Sequence, residues 1–323
     1  MTRETQVIHQ RKLGQATRDA YGLALKELGE KDQNIIVLDA DLSKSTKTAT
    51  FGDCFPERFT NCGIMEANMV GVAAGLALSG KIVFVSSFAC FLTCKSYDQF
   101  RMSIANPKAN VKIVASHGGI SVGEDGASQH SIEDIALMTS LPEFSVMIPA
   151  DQYAAKKLVI QSAYKQGPVY IRTCRPKAYI IYDEQTPIEI GKSILIRDGK
   201  DVTIIANGLM VHEALLAAET LEKEGIDAAV VDMHTLKPID DAMLKQQAIK
   251  TGAFVTAEEH QIWGGLGSIV SQSVAKSHPV PIEFVAIQDT YAESGNQEEL
   301  FKHYGLSYQN IVNSAKKVIS RKT

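Results

Sequence analysis

Gly63-Ile64-Met65-Glu66-Ala67-Asn68-Met69-Val70-Gly71-Val72-Ala73-Ala74-Gly75-Leu76-Ala77 sets one carboxylate, Glu66, ahead of more than two turns of small apolar residues, with no charge before Lys81. Val70, Ala73 and Ala77 recur at helical spacing. Gly71 and Gly75, four apart, let another backbone approach closely, as at a helix–helix or subunit contact. The run predicts a helix that is buried, not a surface element. Glu66 then stands at the mouth of a low-dielectric region, where desolvation disfavours the charged form and lets a carboxyl carry or share a proton near neutral pH. The same residue also reads as a first-turn acid that complements the helix dipole.

Outward from this run the chain alternates between short apolar strands and helices. A helix is predicted from Ala16-Thr17-Arg18-Asp19, with Thr17 as N-cap and Ala20, Leu23, Ala24 and Leu28 on one face, stopping at Gly29. Ile35-Ile36-Val37-Leu38 is a continuous apolar run, the pattern of a strand buried on both faces, and it leads into the polar segment 39–46. Open α/β sheets place ligands beyond the carboxyl ends of their strands. The cycle continues with strands at 82–85, 111–115, 146–148 and 169–171 and helices near 97–104, 132–140 and 152–164. The pattern loosens near 180–200 and restarts with strands at 202–206, 228–231, 253–256 and 282–285. Such alternation predicts mainly parallel sheets covered by helices, in two α/β domains that meet near residue 190.

Composition narrows the functional classes. The 323 residues are 45% hydrophobic and 22% charged, a globular balance with length for two domains. The net charge is -4 and the pI about 6.1, with both signs scattered, so no electrostatic footprint points to nucleic acid or an anionic membrane. The polar start from Met1 to Gln6 has no basic-then-apolar signal pattern and no apolar run reaches the length of a membrane span, so a cytoplasmic protein is expected. Cys54, Cys62, Cys90, Cys94 and Cys174 are odd in number. Cys90 and Cys94 lack a second pair to complete a zinc pattern, so reduced thiols and no metal site are expected.

Three further segments carry more polar or aromatic chemistry than a scaffold needs. In Ser86-Ser87-Phe88-Ala89-Cys90-Phe91-Leu92-Thr93, Phe88 and Phe91 could wall a flat heterocycle or pack a core. The segment 116–130 follows a strand and holds four glycines, two acids and two histidines with little apolar content, which favours function over a plain connector. Arg172 and Arg175 in Ile171-Arg172-Thr173-Cys174-Arg175-Pro176 suit a phosphate, or an ion pair for either one. Gly264-Gly265-Leu266-Gly267 could cradle a phosphate but lacks the Lys-Ser/Thr of a P-loop, and reads better as a structural turn.

Together these stretches resemble the transketolase family. Glu66 in I-M-E-A-N-M-V-G-V-A-A-G is similar to the glutamate that meets the aminopyrimidine of thiamine diphosphate. S-F-A-C-F-L-T resembles the aromatic pyrimidine pocket, S-H-G-G-I-S-V-G-E-D-G-A-S-Q the donor-sugar loop, and R-T-C-R-P the phosphate-binding arginine. The likeness runs from about Ala16 through T-L-K-P-I-D at 235–240 and beyond. It implies a pyrimidine-binding domain over 1–190 and a transketolase C-terminal domain over 191–323. It further implies Glu66 and His117 as catalytic residues, with Phe88 and Phe91 beside Glu66 at the cofactor. Arg18, Ser45, His117, Asp125, Gln129 and Arg175 would bind the substrate, and whether Gln129 or His130 faces the sugar stays open.

The diphosphate-binding G-D-G motif and its downstream Asn have no counterpart in the sequence. The resemblance therefore implies half of a split enzyme, whose partner subunit holds the diphosphate and Mg²⁺ (or Ca²⁺). The expected assembly is α₂β₂ around a dimer of this chain, with transfer of a two-carbon ketol unit from a ketose to an aldose. Sugar phosphates and sulfosugars are both admissible substrates. The β subunit of a 2-oxo acid dehydrogenase, a 1-deoxyxylulose-5-phosphate synthase and a non-catalytic regulatory subunit of the same fold are the alternatives.

Overall fold

A computed structural model describes residues 12–322 of the chain. Its strands, in chain order, are β1 (Ile35–Asp39), β2 (Phe59–Asn61), β3 (Ile82–Ser86), β4 (Val111–Ala115), β5 (Ser145–Met147), β6 (Val169–Arg172), β7 (Ile194–Arg197), β8 (Val202–Ala206), β9 (Ala228–Asp232), β10 (Thr235–Lys237), β11 (Phe254–Gln261) and β12 (Ile282–Ile287). Seven of them form one sheet in the order β10-β5-β6-β4-β3-β1-β2, and five form a second in the order β12-β11-β8-β9-β7. All pairings are parallel except those of the edge strands β10 and β7. β4, β6, β8 and β9 are buried along their whole length, as strands covered by helices on both faces must be.

The order of the first sheet decides where chemistry can collect. β6, β4, β3 and β1 are successive parallel neighbours, so their carboxyl ends lie along one edge. Segments far apart in the chain, after Asp39, Ser86, Ala115 and Arg172, are thereby delivered side by side.

The two sheets share more than a linker. β10 crosses to pair antiparallel with β5 at the edge of the first sheet. Beneath it, Asp151 accepts hydrogen bonds from the Ile181 and Tyr182 amides at 2.9 and 2.8 Å, and the Tyr182 hydroxyl donates to Asp232 Oδ2 at 2.7 Å. Asp232 is fully buried, and burial pushes its carboxyl up to about 8.

Several expectations change. The first helix spans Thr17–Lys31, with Ala16 at the cap position and Thr17 already helical. It does not stop at Gly29, because that glycine is needed for packing: a Cβ there would lie 2.4 Å from the Phe55 ring. Leu23 is exposed, and Tyr21 and Leu25 fill the buried face in its place. β2, β7 and the helices Gln297–His303 and Tyr308–Ile319 had no sequence expectation. The Glu66 helix, Glu66–Leu78, buries Met69, Val70, Ala73, Ala74 and Ala77. Its other side is exposed in the single chain, with Val72 at 42% and Leu78 at 64%. Nothing lies within 4 Å of a Cβ built at Gly71 or Gly75.

Candidate functional site

Beyond β1, the buried Asp39 carboxylate organises the next turn. It accepts from the Leu42 amide at 2.6 Å and from the Thr46 and Thr48 hydroxyls at 2.7 and 2.8 Å. Those bonds wind residues 43–46 into a helical turn that presents the Ser45 carbonyl to Arg18 Nη1 at 3.0 Å. It is the carbonyl of Ser45, not its hydroxyl, that meets Arg18. Arg18 is held in place because the neighbouring Thr17 hydroxyl accepts from the Cys174 amide at 2.8 Å, docking the first helix on the segment that follows β6.

Beyond β3 and β4, aromatic rings and charges form a continuous row. His117 adopts a left-handed φ of 61° and stacks on Phe88 with ring centres 3.7 Å apart; Phe88 stacks in turn on Phe91 at 5.7 Å. Arg18 Nη1 lies 3.3 Å from His117 Nε2, and Ser116 Oγ lies 2.8 Å from Nδ1. A guanidinium can only donate, so Nε2 accepts and the Nδ1–H points to Ser116. Burial, with Arg18 and Arg175 nearby, lowers His117 to about 3, so the imidazole is neutral across the physiological range. At the other end of the row the Lys95 ammonium lies 4.7 Å over the Phe91 ring and 3.1 Å from Glu66 Oε1. Glu66 is buried as expected, but it is not the lone carboxyl in an apolar setting that its sequence context predicts.

The glycine-rich loop 116–130 is clamped from the second sheet. A Cβ at Gly118 would fall 1.9 Å from Arg172 Nε, and one at Gly119 2.2 Å from Glu259 Cδ, so both positions require glycine. The Glu259 carboxylate accepts a hydrogen bond from the Ser121 amide. Arg172 donates to the Glu259 carbonyl at 2.7 Å and faces Asp134 at 3.7 Å. It is buried scaffold, its guanidinium committed to protein partners and not to a phosphate. Arg175 differs. It is half-buried, donates to the Val122 carbonyl at 2.5 Å and, with Arg18, Ser121, Glu124, Asn296 and Gln297, lines a cavity of 290 Å³.

That cavity has the character of an anion site. Arg18 Nε is buried without a hydrogen-bond partner, an unmet donor of the kind that a ligand oxygen satisfies. Burial and the Arg175 charge both lower the Arg18 guanidinium from its ordinary value, with Asp19 acting against them. Asp125, exposed, and Gln129, half-buried, belong to the same loop but do not line the cavity. His130 turns inward, with Nε2 3.2 Å from the Gly123 carbonyl, leaving Gln129 as the member of that pair nearer the loop surface.

The Gly264–Gly267 turn is occupied by the protein itself. Glu258 accepts the Leu266 and Gly267 amides at 2.6 and 2.9 Å, which uses the helix N-terminus that a phosphate would need. Burial pushes Glu258 up to about 7. Sequence reasoning missed Lys95, Ser116 and Glu259. Glu259 carried a readable signal, since Glu258-Glu259-His260 continues an apolar strand with buried charges that must have partners. Cys94 is exposed, with Sγ 3.7 Å from Glu133 Oε1, and all five cysteines are free.

Comparison with known proteins assigns both sheets of the chain to one family. Residues 14–179 match the family model for the transketolase pyrimidine binding domain, and residues 191–311 match the transketolase C-terminal domain. A Methanocaldococcus jannaschii protein named as a transketolase C-terminal section is 47% identical over 91% of this chain and 93% of its own length. The 6-deoxy-6-sulfo-D-fructose transketolase subunit SqwH of a Clostridium species is 41% identical over 94% of this chain and 95% of its own. A solved structure described as a split gene transketolase, inactive beta4 tetramer, superposes with a TM-score of 0.90 at 47% identity, covering 96% of this chain and 100% of that one.

Proposed function

The chain belongs to the transketolase family, and we propose that it is the pyrimidine-binding and C-terminal subunit of a two-polypeptide, thiamine diphosphate-dependent transketolase. We divide it at about residue 190, with the pyrimidine-binding domain over 1–190 and the C-terminal domain over 191–323. The split reading is supported by relatives named as a section or a subunit that this chain covers almost end to end.

The observation that carries the reading is the shared ammonium of Lys95. A buried carboxylate and an aromatic ring both contact one cationic nitrogen, so the structure already offers the acceptor and the π surface that an aminopyrimidine requires. The residues therefore fit the cofactor, with Glu66 at the ring nitrogen and Phe88 and Phe91 along the ring. When bound, thiamine diphosphate supplies the nucleophilic carbon and the electron sink for two-carbon transfer.

The remaining roles belong to this chain. Glu66 holds a proton at the pyrimidine nitrogen. Neutral His117, its Nδ1–H bound to Ser116 and its Nε2 accepting from Arg18, would offer Nε2 to a substrate hydroxyl once Arg18 turns to the donor's anionic end. Arg18 and Arg175, with the Ser45 turn, hold the donor's anionic end, while Asp125 and Gln129 meet its hydroxyls. The anion is a phosphate or a sulfonate; a relative named for sulfofructose supports including the second.

Among the described residues no cluster of His, Cys, Asp and Glu is spaced to hold a metal ion. We therefore place the diphosphate and its Mg²⁺ (or Ca²⁺) on an N-terminal partner subunit. The exposed apolar side of the Glu66 helix supports self-association of this chain as the central dimer of an α₂β₂ assembly. No helix of the described residues is long and apolar enough to cross a membrane, and we place the assembly in the cytoplasm. The test is reconstitution. Alone, the chain should show no turnover and weak cofactor binding by calorimetry; turnover should appear on adding the partner with thiamine diphosphate and Mg²⁺. Tight binding and turnover by the chain alone would refute the split reading.

A further inference from the structure

Lys95 has no part in the roles assigned so far, yet its ammonium lies 3.1 Å from Glu66 Oε1 and 4.7 Å over the Phe91 ring. The Glu66 side chain is only 5% exposed, whereas that of Lys95 is 51% exposed. A carboxylate so far from water needs a partner. In this chain the partner is a lysine with half its stem still in solvent. Lys95 is also the last residue of the helix Ala89–Lys95, ahead of the break at Ser96, so its four-carbon stem can swing outward without disturbing a helix interior.

An aminopyrimidine placed at Glu66 and Phe91 needs the same carboxylate and aromatic surface that the ammonium now covers. Both cannot hold them at once. We propose that Lys95 is a displaceable counter-ion: it neutralises Glu66 in the cofactor-free subunit and withdraws to solvent when the pyrimidine engages that carboxylate. The inference rests on the placement of the pyrimidine at Glu66 made above. Lys95 is a positioning residue in this scheme and takes no part in the chemistry. Its presence lowers cofactor affinity below what the Glu66 and Phe91 contacts alone would give, and spares the empty site an unpaired buried charge.

The test measures thiamine diphosphate affinity by equilibrium dialysis, with Mg²⁺ and the partner subunit present, for wild type, Lys95→Met, Lys95→Gln, Lys95→Arg, Glu66→Gln, Phe91→Ala and Glu66→Gln/Lys95→Met. Removing the competing ammonium should tighten binding roughly threefold to fivefold at low ionic strength, the upper end of what a half-exposed ion pair contributes, with Met and Gln alike. Lys95→Arg should stay within about twofold of wild type. The gain should shrink toward about twofold in about 0.5 M salt, where ion pairing is screened. On the Glu66→Gln background the Lys95→Met effect should vanish, since the cycle isolates the coupling between the two residues. If Phe91→Ala and Glu66→Gln weaken cofactor binding but Lys95→Met and Lys95→Gln leave it unchanged or weaker, the counter-ion inference is wrong and the pyrimidine placement stands. A gain that survives Glu66→Gln overturns it equally. If neither Phe91→Ala nor Glu66→Gln alters affinity, the placement itself fails and the inference goes with it.

Discussion

Replacing Glu66 by glutamine removes a charge while keeping size and shape, and the structure separates its two consequences by magnitude. For folding, the relevant contact is the ion pair with Lys95, one partner of which is 51% exposed. A pair with one member half in water contributes about 0–1 kcal/mol, and a glutamine carbonyl can still accept from the ammonium. A loss of that size moves the melting temperature of a domain of about 150–250 residues by roughly 2–4 °C or less. For chemistry, the glutamine cannot hold or release the proton at the pyrimidine nitrogen. Positioned proton transfer typically contributes about 10²–10⁴-fold, or roughly 2.7–5.4 kcal/mol of barrier at about 1.36 kcal/mol per decade. The expected result is a reconstituted enzyme that melts almost as wild type but turns over at least about a hundredfold more slowly. The assay pairs steady-state turnover at saturating cofactor with deuterium exchange at the cofactor's reactive carbon and with scanning calorimetry. Turnover within about threefold of wild type, far short of a lost proton-transfer group, would leave Glu66 as an ordinary first-turn acid of its helix.

Arg175→Ala should raise KM for anionic sugars by roughly tenfold to a hundredfold, the worth of one charge-assisted hydrogen bond of about 1.5–3 kcal/mol. Neutral sugars should be nearly unaffected; an equal rise for both would mean that the lost Val122 contact had disordered the loop. Asp232→Asn should flatten the pH dependence of stability. The folded carboxyl is raised to about 8, so its contribution is complete below its unfolded value near 4 and is lost as pH rises through 8, at about 1.4 kcal/mol per unit. Melting curves from pH 5 to 8.5 should thus fall more steeply for wild type than for the variant, and parallel curves would refute the assignment. Gly71→Gln should weaken self-association while sparing the fold, because no atom lies within 4 Å of the new Cβ and helix propensity improves by about 0.5–1 kcal/mol. Sedimentation gives the answer, and an unchanged oligomer would place the contact elsewhere.

The strands were legible because a strand covered on both faces is predominantly apolar, as 202–206 is apart from Thr203 and 111–115 is apart from Lys112. β2 and β7 were not legible. One is three residues long with two exposed, and the other is half-buried along its length at a sheet edge, so neither carries a burial signature. At the site, residues that act through their own chemistry stood out: Glu66 before an apolar run, and the glycine-rich loop beyond β4. Residues that act through a distant partner did not. Arg172 and Arg175 look equivalent three positions apart. Only the arrival of Asp134 and Glu259 from other segments makes the first a buried scaffold and leaves the second at the cavity.

The Glu66 helix is apolar on more sides than one folded chain covers. Its composition required burial on more than one side, and the isolated chain buries only one. Ile64, Met65, Val72 and Leu78 are 72%, 57%, 42% and 64% exposed, and together with Gly71 and Gly75 they form a side with no charged residue. Apolar surface of this kind costs roughly 25 cal/mol for each Å² left in water, so the residue pattern records a demand for cover without saying whether the same chain or another supplies it. A sequence reading of a buried helix therefore applies to the assembly, and the structure of one chain shows which half of that burial folding alone provides. Glu66 opens this helix, so whatever covers the exposed side also lies next to the residue on which the proposed chemistry depends.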